Sequence, residues 1–416
     1  MQHIKRVKVF SEHLKPGMFV AELDRDWSES SFLLQGFTLE NVDDIEEVKR
    51  QCKFVYVDFR SEQDFKEHKL ATSASQTYRQ QVAASMDMDV ADYNLRNKLK
   101  PALTRRRNSS RLMKSVLDKI MLGEDFDLHG VRQSVKENVK GILENQEAML
   151  MMTMLKSRNE DVAEHSLNVS ILATGFALSL GYSENQLEDV GMAALLHDIG
   201  MARVDQAVLT KKGKLNQNER MEIAKHTRFG YEILMSKPDL TPSCIDVALS
   251  HHERLSGQGY PRGLKGEQIS EVVRLVSIIE VFDALTSHQP YRKGLSVMDA
   301  YKILMAGKNS HFDEQLILKF IKWRSIYPPG AIVEMENGEV GIVIKAHQEH
   351  KLKPKVLLVL NEYKQPRKER LVDLAKMDLD AESKSYKIIK AYENMAFGID
   401  LQQYAEKGLK IQLPNT

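Results

Sequence analysis

The chain has 416 residues, 42% hydrophobic and 28% charged, the balance of a globular protein with length for two to four folded units at ~100–200 residues each. Its 59 Lys+Arg against 58 Asp+Glu leave a formal charge of +1, which speaks against the basic stripe of a protein that grips long nucleic acid. Cys52 and Cys244 lack metal-ribbon spacing and are too few for a disulfide framework, and no apolar run has the ~18 residues of a membrane span or a signal-peptide core at the N-terminus. The expectation is a cytoplasmic protein with two buried thiols.

In chain order, residues 1–68 read as a small α/β domain, with short strands, turn punctuation at Lys15-Pro16-Gly17, a helix over 42–50 and the apolar run 54–57. Residues 69–125 are polar and read as a helical connector; the basic cluster Arg105, Arg106, Arg107, Arg111 and Lys114 suits a solvated face. Residues 126–326 carry helical periodicity, with helices expected over 162–180, 186–196, 219–235, 245–252 and 272–285. Met149, Met151, Met152 and Met154 near its start are expected to fill core gaps. From 327 to 416 strands follow: 331–335, an Asn337-Gly338 hairpin turn, 340–346 and 355–360, a β-rich extension.

The chemistry-bearing residues lie in the helical stretch. His165, the pair His197-Asp198, His226, the pair His251-His252, and Glu280 with Asp283 each fall on a different expected helix. A polar side chain in an apolar helix face costs several kcal/mol, about 2–7, unless it is paired or bound to a metal. Five imidazoles with two or three carboxylates and no thiolate suit Fe, Mn, Co, Ni or Zn, and are too many for one ion. Two ions roughly 3.5–4 Å apart can activate a shared hydroxide and neutralise charge on phosphoryl oxygens, the chemistry of phosphoester hydrolysis.

His165, LLHDIG, His226, HHERLSGQGYPRGLKG and EVFDALTSHQPYR together resemble the HD-GYP subclass of the HD phosphohydrolase superfamily, which hydrolyses cyclic di-GMP in bacteria. FSEHLKPGMFVAELDRDW resembles the uncharacterised domain often found ahead of this module, and YPPGAIVEMENGEVGIVI its usual β-rich tail. The resemblance implies a mainly α fold, an HD-type helical bundle flanked by a small N-terminal α/β domain and a C-terminal β-rich unit. It implies metal ligands at His165, His197, Asp198, His226, His251, His252 and Glu280, with Asp198 bridging and with Asp161 able to support a third ion. His197 and Asp198 would carry catalysis on two or three divalent ions, Fe or Mn. Gly259, Tyr260, Pro261 and Arg292 would contact substrate, Gly257 and Gly259 shaping the loop and Pro261 stiffening its exit.

The pattern departs from the family at four places. Met201 replaces the lysine after HDIG, Ser256 the acid before the GYP glycine, Glu280 the last Asp ligand, and Gln289 the arginine of the RPY segment. The ligand cage is kept and the phosphate clamp is thinner. The implied activity is hydrolysis of cyclic di-GMP to pGpG and onward to GMP; the alternatives are turnover of another cyclic dinucleotide such as cyclic GMP-AMP, or a nucleotide-binding effector with weak catalysis. A homodimer and signalling protein partners are compatible with either.

Overall fold

The computed structural model describes residues 5–24, 37–59, 95–155, 161–211, 213–287, 294–347, 350–377, 379–380 and 384–407. It divides into two compact units, Met1–Ser85 and Met86–Thr416.

Among its described residues, the first unit is an antiparallel sheet packed against an α-helix. Its strands β1 (Lys5–Phe10), β2 (Phe19–Leu23), β3 (Phe37–Thr38) and β4 (Phe54–Phe59) are ordered β1-β4-β2-β3. Helix α1 (Val42–Gln51) starts where Asn41 accepts from the Asp44 N–H at 2.9 Å while the Asp44 carboxylate accepts from the Asn41 N–H at 3.2 Å. Its Ile45 and Val48 close the core over Val9, Val20, Leu39, Val55 and Val57, with the Cys52 thiol buried among them.

Among the described residues of the second unit, α2 (Leu95–Met121) and α3 (Leu128–Met152) come first. All of α2 lies within the segment that reads as a polar connector. Its Leu99, Ala102, Leu103, Met113, Val116 and Ile120 are nevertheless buried at helical spacing in the main core. The basic cluster is largely consumed by the fold: Arg105 pairs with Glu144 at 2.8 Å, and the buried Arg106 donates to Asn168 Oδ1 at 2.6 Å and to the Leu155 carbonyl at 3.1 Å. Arg107 pairs with Glu406, and Lys114 meets Asp161 at 2.8 Å. Met149, Met151 and Met152 are fully buried, as packing residues should be.

Helices α4 (Val162–Ser179), α5 (Glu184–Leu196), α6 (Gln206–Leu209), α7 (Gln217–Ala224), α8 (His226–Met235), α9 (Pro242–Ser250), α10 (Glu271–Thr286), α11 (Val297–Ala306) and α12 (Glu314–Arg324) complete the bundle. α4 is its centre, buried continuously from Ser166 to Ala177. The single helix expected over 219–235 is two, broken at Lys225. There the His226 ring donates to the Ile223 carbonyl and the Thr227 hydroxyl to the Ala224 carbonyl, side-chain bonds that compete with the helical ladder.

Five antiparallel strands follow in the order β8-β7-β6-β5-β9: β5 (Ile332–Met335), β6 (Val340–Lys345), β7 (Lys355–Leu360), β8 (Pro366–Asp373) and β9 (Ile388–Tyr392), then α13 (Leu401–Lys407). Gly338 takes φ +86° in the β5–β6 turn, which its lack of a Cβ permits. Ile332, Ile342, Ile344, Leu357 and Val359 join the helical core, while Val333, Val343, Val356 and Leu358 form a second core on the other face. Burial on both faces explains why β6 and β7 read as continuous apolar runs instead of alternating. Among the described residues, no helix is long and apolar enough to cross a membrane.

Candidate functional site

Helix ends bring the polar residues together. His197 and Asp198 follow α5, His226 starts α8, and His251 and His252 follow α9; His165 comes from the first turn of α4 and Glu280 from the middle of α10. His197 and His226 are 0% exposed, His251 1% and Asp198 7%. Gly200 makes the approach possible, since a Cβ there would lie 2.0 Å from the His226 carbonyl oxygen and 2.4 Å from Gly230 N. The turn carrying Asp198 therefore rests directly on the backbone of α8.

The orientation of four rings is fixed from behind. Nδ1 of His197 lies 2.8 Å from the Ala194 carbonyl, that of His226 2.7 Å from Ile223, that of His251 2.9 Å from Val247, and that of His165 2.8 Å from Asp283 Oδ2. Carbonyl and carboxylate oxygens only accept, so each Nδ1 carries a proton, and in the neutral ring Nε2 is left with the lone pair. Those lone pairs converge. His226 Nε2 is 3.2 Å from His251 Nε2 and 3.2 Å from Asp198 Oδ1, His251 Nε2 is 3.4 Å from the same oxygen, and His197 Nε2 is 3.5 Å from Asp198 Oδ2. Acceptors at this spacing repel one another, and a cation among them reverses the sign of the interaction.

The atoms that could hold a metal ion fall into two sets, each within 4.8 Å: His165, His197 and Asp198, and His226, His251 and His252. One Asp198 oxygen faces each set. His197 Nε2 and Glu280 Oε2 are buried without a hydrogen bond, a costly condition for groups this polar.

The electrostatics agree with a site built for positive charge. Burial works against the Asp198 carboxylate, yet His197, His251 and His226 hold its pKa well below the usual range. Burial pushes Glu280 up to about 7, opposed by His165 and His251. It takes His197 down to about 3 against the pull of Asp198, and, with the His251 and His226 charges, sets His252 well below its ordinary value. His165 goes the other way, to about 9, because the Asp283 hydrogen bond and the charges of Asp283, Asp198 and Glu280 overcome its burial.

Asp161 belongs to neither set. It caps α4, accepting from the Glu164 N–H at 2.9 Å, and its other oxygen faces Lys114, a structural role for both oxygens. On the rim, the Tyr260 ring stacks on His252 with centroids 4.8 Å apart and planes at 28°. Gly259 has no space for a side chain, its Cβ position lying 2.4 Å from Arg254 N, and Gly257 takes φ +79°; Pro261 follows Tyr260 directly, as the motif requires. Arg292 and Gln289 lie outside the described residues. Two residues take positions the candidate set did not assign: Asp283, grouped with Glu280 in the sequence but standing behind His165, and Glu253, whose buried carboxylate anchors the Tyr260 loop. Their signals were the three-residue spacing of Glu280 and Asp283 on one helix face and the acid directly following the histidine pair.

Residues 149–316 match the HD domain family, residues 5–131 a domain of unknown function (DUF3391), and residues 332–395 the KOW domain associated with HD domain. A cyclic di-GMP phosphodiesterase of Pseudomonas aeruginosa is 31% identical over 376 residues, 90% of this chain and 89% of its own. The cyclic di-GMP phosphodiesterase response regulator RpfG of Xanthomonas campestris is 38% identical over 150 residues, 36% of this chain and 40% of its own. A 3'3'-cGAMP-specific phosphodiesterase of Vibrio cholerae is 29% identical over 197 residues, 47% of this chain and 37% of its own. With its ordered histidines, GYP loop and a relative matched along nearly the whole length, the chain belongs to the HD-GYP subclass of the HD phosphohydrolase superfamily.

Proposed function

We propose that this chain is a metal-dependent phosphodiesterase that opens cyclic di-GMP to linear pGpG and then to GMP. The observation that carries the proposal is the convergence of imidazole Nε2 atoms on the two oxygens of one buried aspartate, with Nδ1 already committed in four of the five rings. His165 and His197 would hold one divalent ion, His226, His251 and His252 the other, with Asp198 shared and Glu280 closing the cage. The donor set is nitrogen and carboxylate oxygen without sulfur, suited to Fe or Mn. Bound there, the ions supply Lewis acidity to a water and to the phosphoryl oxygens.

The protein's own part is orientation. The backbone carbonyls of Ala194, Ile223 and Val247 and the Asp283 carboxylate keep the rings in one tautomer, and the Tyr260 ring covers His252 at the mouth. Gly259 and Pro261 shape that loop, and Arg292 steadies a phosphate. Met201 brings no ammonium group to the leaving 3′-oxygen, so a metal ion or a water would stabilise it. Anaerobically purified protein assayed in parallel on cyclic di-GMP and cyclic GMP-AMP tests this. We expect pGpG from the first at the higher kcat/KM; preferential turnover of the second would move the chain to the specificity named for its Vibrio relative, and no product from either with metal bound would make it a binding effector.

A further inference from the structure

Glu253 follows the two histidines directly, is only 4% exposed and belongs to neither ligand set. Its carboxylate accepts three successive backbone N–H groups: Arg262 at 2.6 Å and Gly263 at 3.1 Å on Oε1, and Leu264 at 2.9 Å on Oε2. These are the residues that leave the Tyr260-Pro261 step. Pro261 has no N–H to offer, and the Tyr260 N–H reaches the His252 carbonyl only at 3.3 Å. The Arg262 side chain adds a clamp to Asp246 at 2.7 Å, but on the exposed side of the loop. The tripeptide 251–253 thus holds two ligands and the anchor of the loop, so any displacement of the loop is referred to the same backbone as the cluster.

We propose that Glu253 is a positioning residue that sets Tyr260 over His252 and thereby tunes affinity for a cyclic dinucleotide, without touching substrate or metal. The proposal rests on the phosphodiesterase reading for its substrate. The test uses the full chain with Glu253→Ala and Glu253→Gln, the glutamine keeping Oε1 for two of the three N–H groups and losing the acceptor for Leu264. Four quantities are measured: KM and kcat on cyclic di-GMP, metal per chain, hydrolysis of bis(p-nitrophenyl) phosphate, which needs no base platform, and amide hydrogen exchange over residues 254–266. Because a displacement of order 1 Å at a positioning contact costs on the order of 100-fold, we expect Glu253→Ala to raise KM by about that factor. Exchange should quicken at 262–264, with metal and the small-ester activity retained and Glu253→Gln intermediate. An unchanged KM overturns the proposal, as does parallel loss of metal and both activities with faster exchange throughout the bundle. If the wild type cleaves the small ester but no cyclic dinucleotide, the substrate assignment fails, and the exchange data still decide whether Glu253 holds the loop.

Discussion

The histidine cluster and the Tyr260 loop share residues 251–253 yet are built in opposite ways. In the cluster, backbone acceptors aim side chains: the carbonyls of Ala194, Ile223 and Val247 fix three imidazoles. In the loop, a side-chain acceptor aims backbone: Glu253 gathers three N–H groups. Helix carbonyls are held by packing on every side, so the cluster inherits the rigidity of the bundle. At the exit of the Tyr260-Pro261 step, three successive loop N–H groups rest on that one carboxylate. Metal chemistry and substrate fit are therefore separable by mutation.

The largest separation comes from Asp198→Ala, which removes the carboxylate common to both ligand sets. Metal content and hydrolysis should vanish together, measured by elemental analysis and product chromatography, while helical circular dichroism persists. Gly200→Ala comes next. A Cβ 2.0 Å from the His226 carbonyl oxygen forces the Asp198 turn off α8. The expected cost is about 1–3 kcal/mol in stability, read by urea denaturation, with weakened metal binding. Asp283→Asn keeps an acceptor for His165 but removes its charge, so metal affinity or kcat should fall roughly 10–100-fold with KM little changed. The smallest effect belongs to Asp161→Asn, which leaves a competent helix cap and breaks an exposed pair with Lys114 worth about 0–1 kcal/mol. Metal stoichiometry should be untouched; loss of an ion on that change would restore Asp161 to the ligand set.

The same contrast governs what could be read in the sequence. Helices α4, α5 and α10 were legible because their apolar faces meet the main core, and the hairpin because Asn337-Gly338 marks its turn. The buried stripe of α2 was not. Its core positions are interrupted by Arg106 and Ser109, which are buried too, and the neighbouring cations advertise a solvated surface. The break at Lys225 depends on side-chain hydrogen bonds that periodicity does not register. At the site, histidine order and HD and HH pairing identified the residues that converge, whereas at Asp161, one turn before His165, a helix cap and a ligand look alike in sequence. Asp283 and Glu253 act through other residues, and only the folded geometry reveals whom they touch.

Metal stoichiometry in two single variants tests the central claim most directly. Wild-type protein, purified anaerobically, should carry about two ions per chain; His165→Ala and His226→Ala should each retain about one, with hydrolysis of cyclic di-GMP lost in both. Full metal content in both variants, or a wild type that turns over substrate with no metal bound, would contradict it.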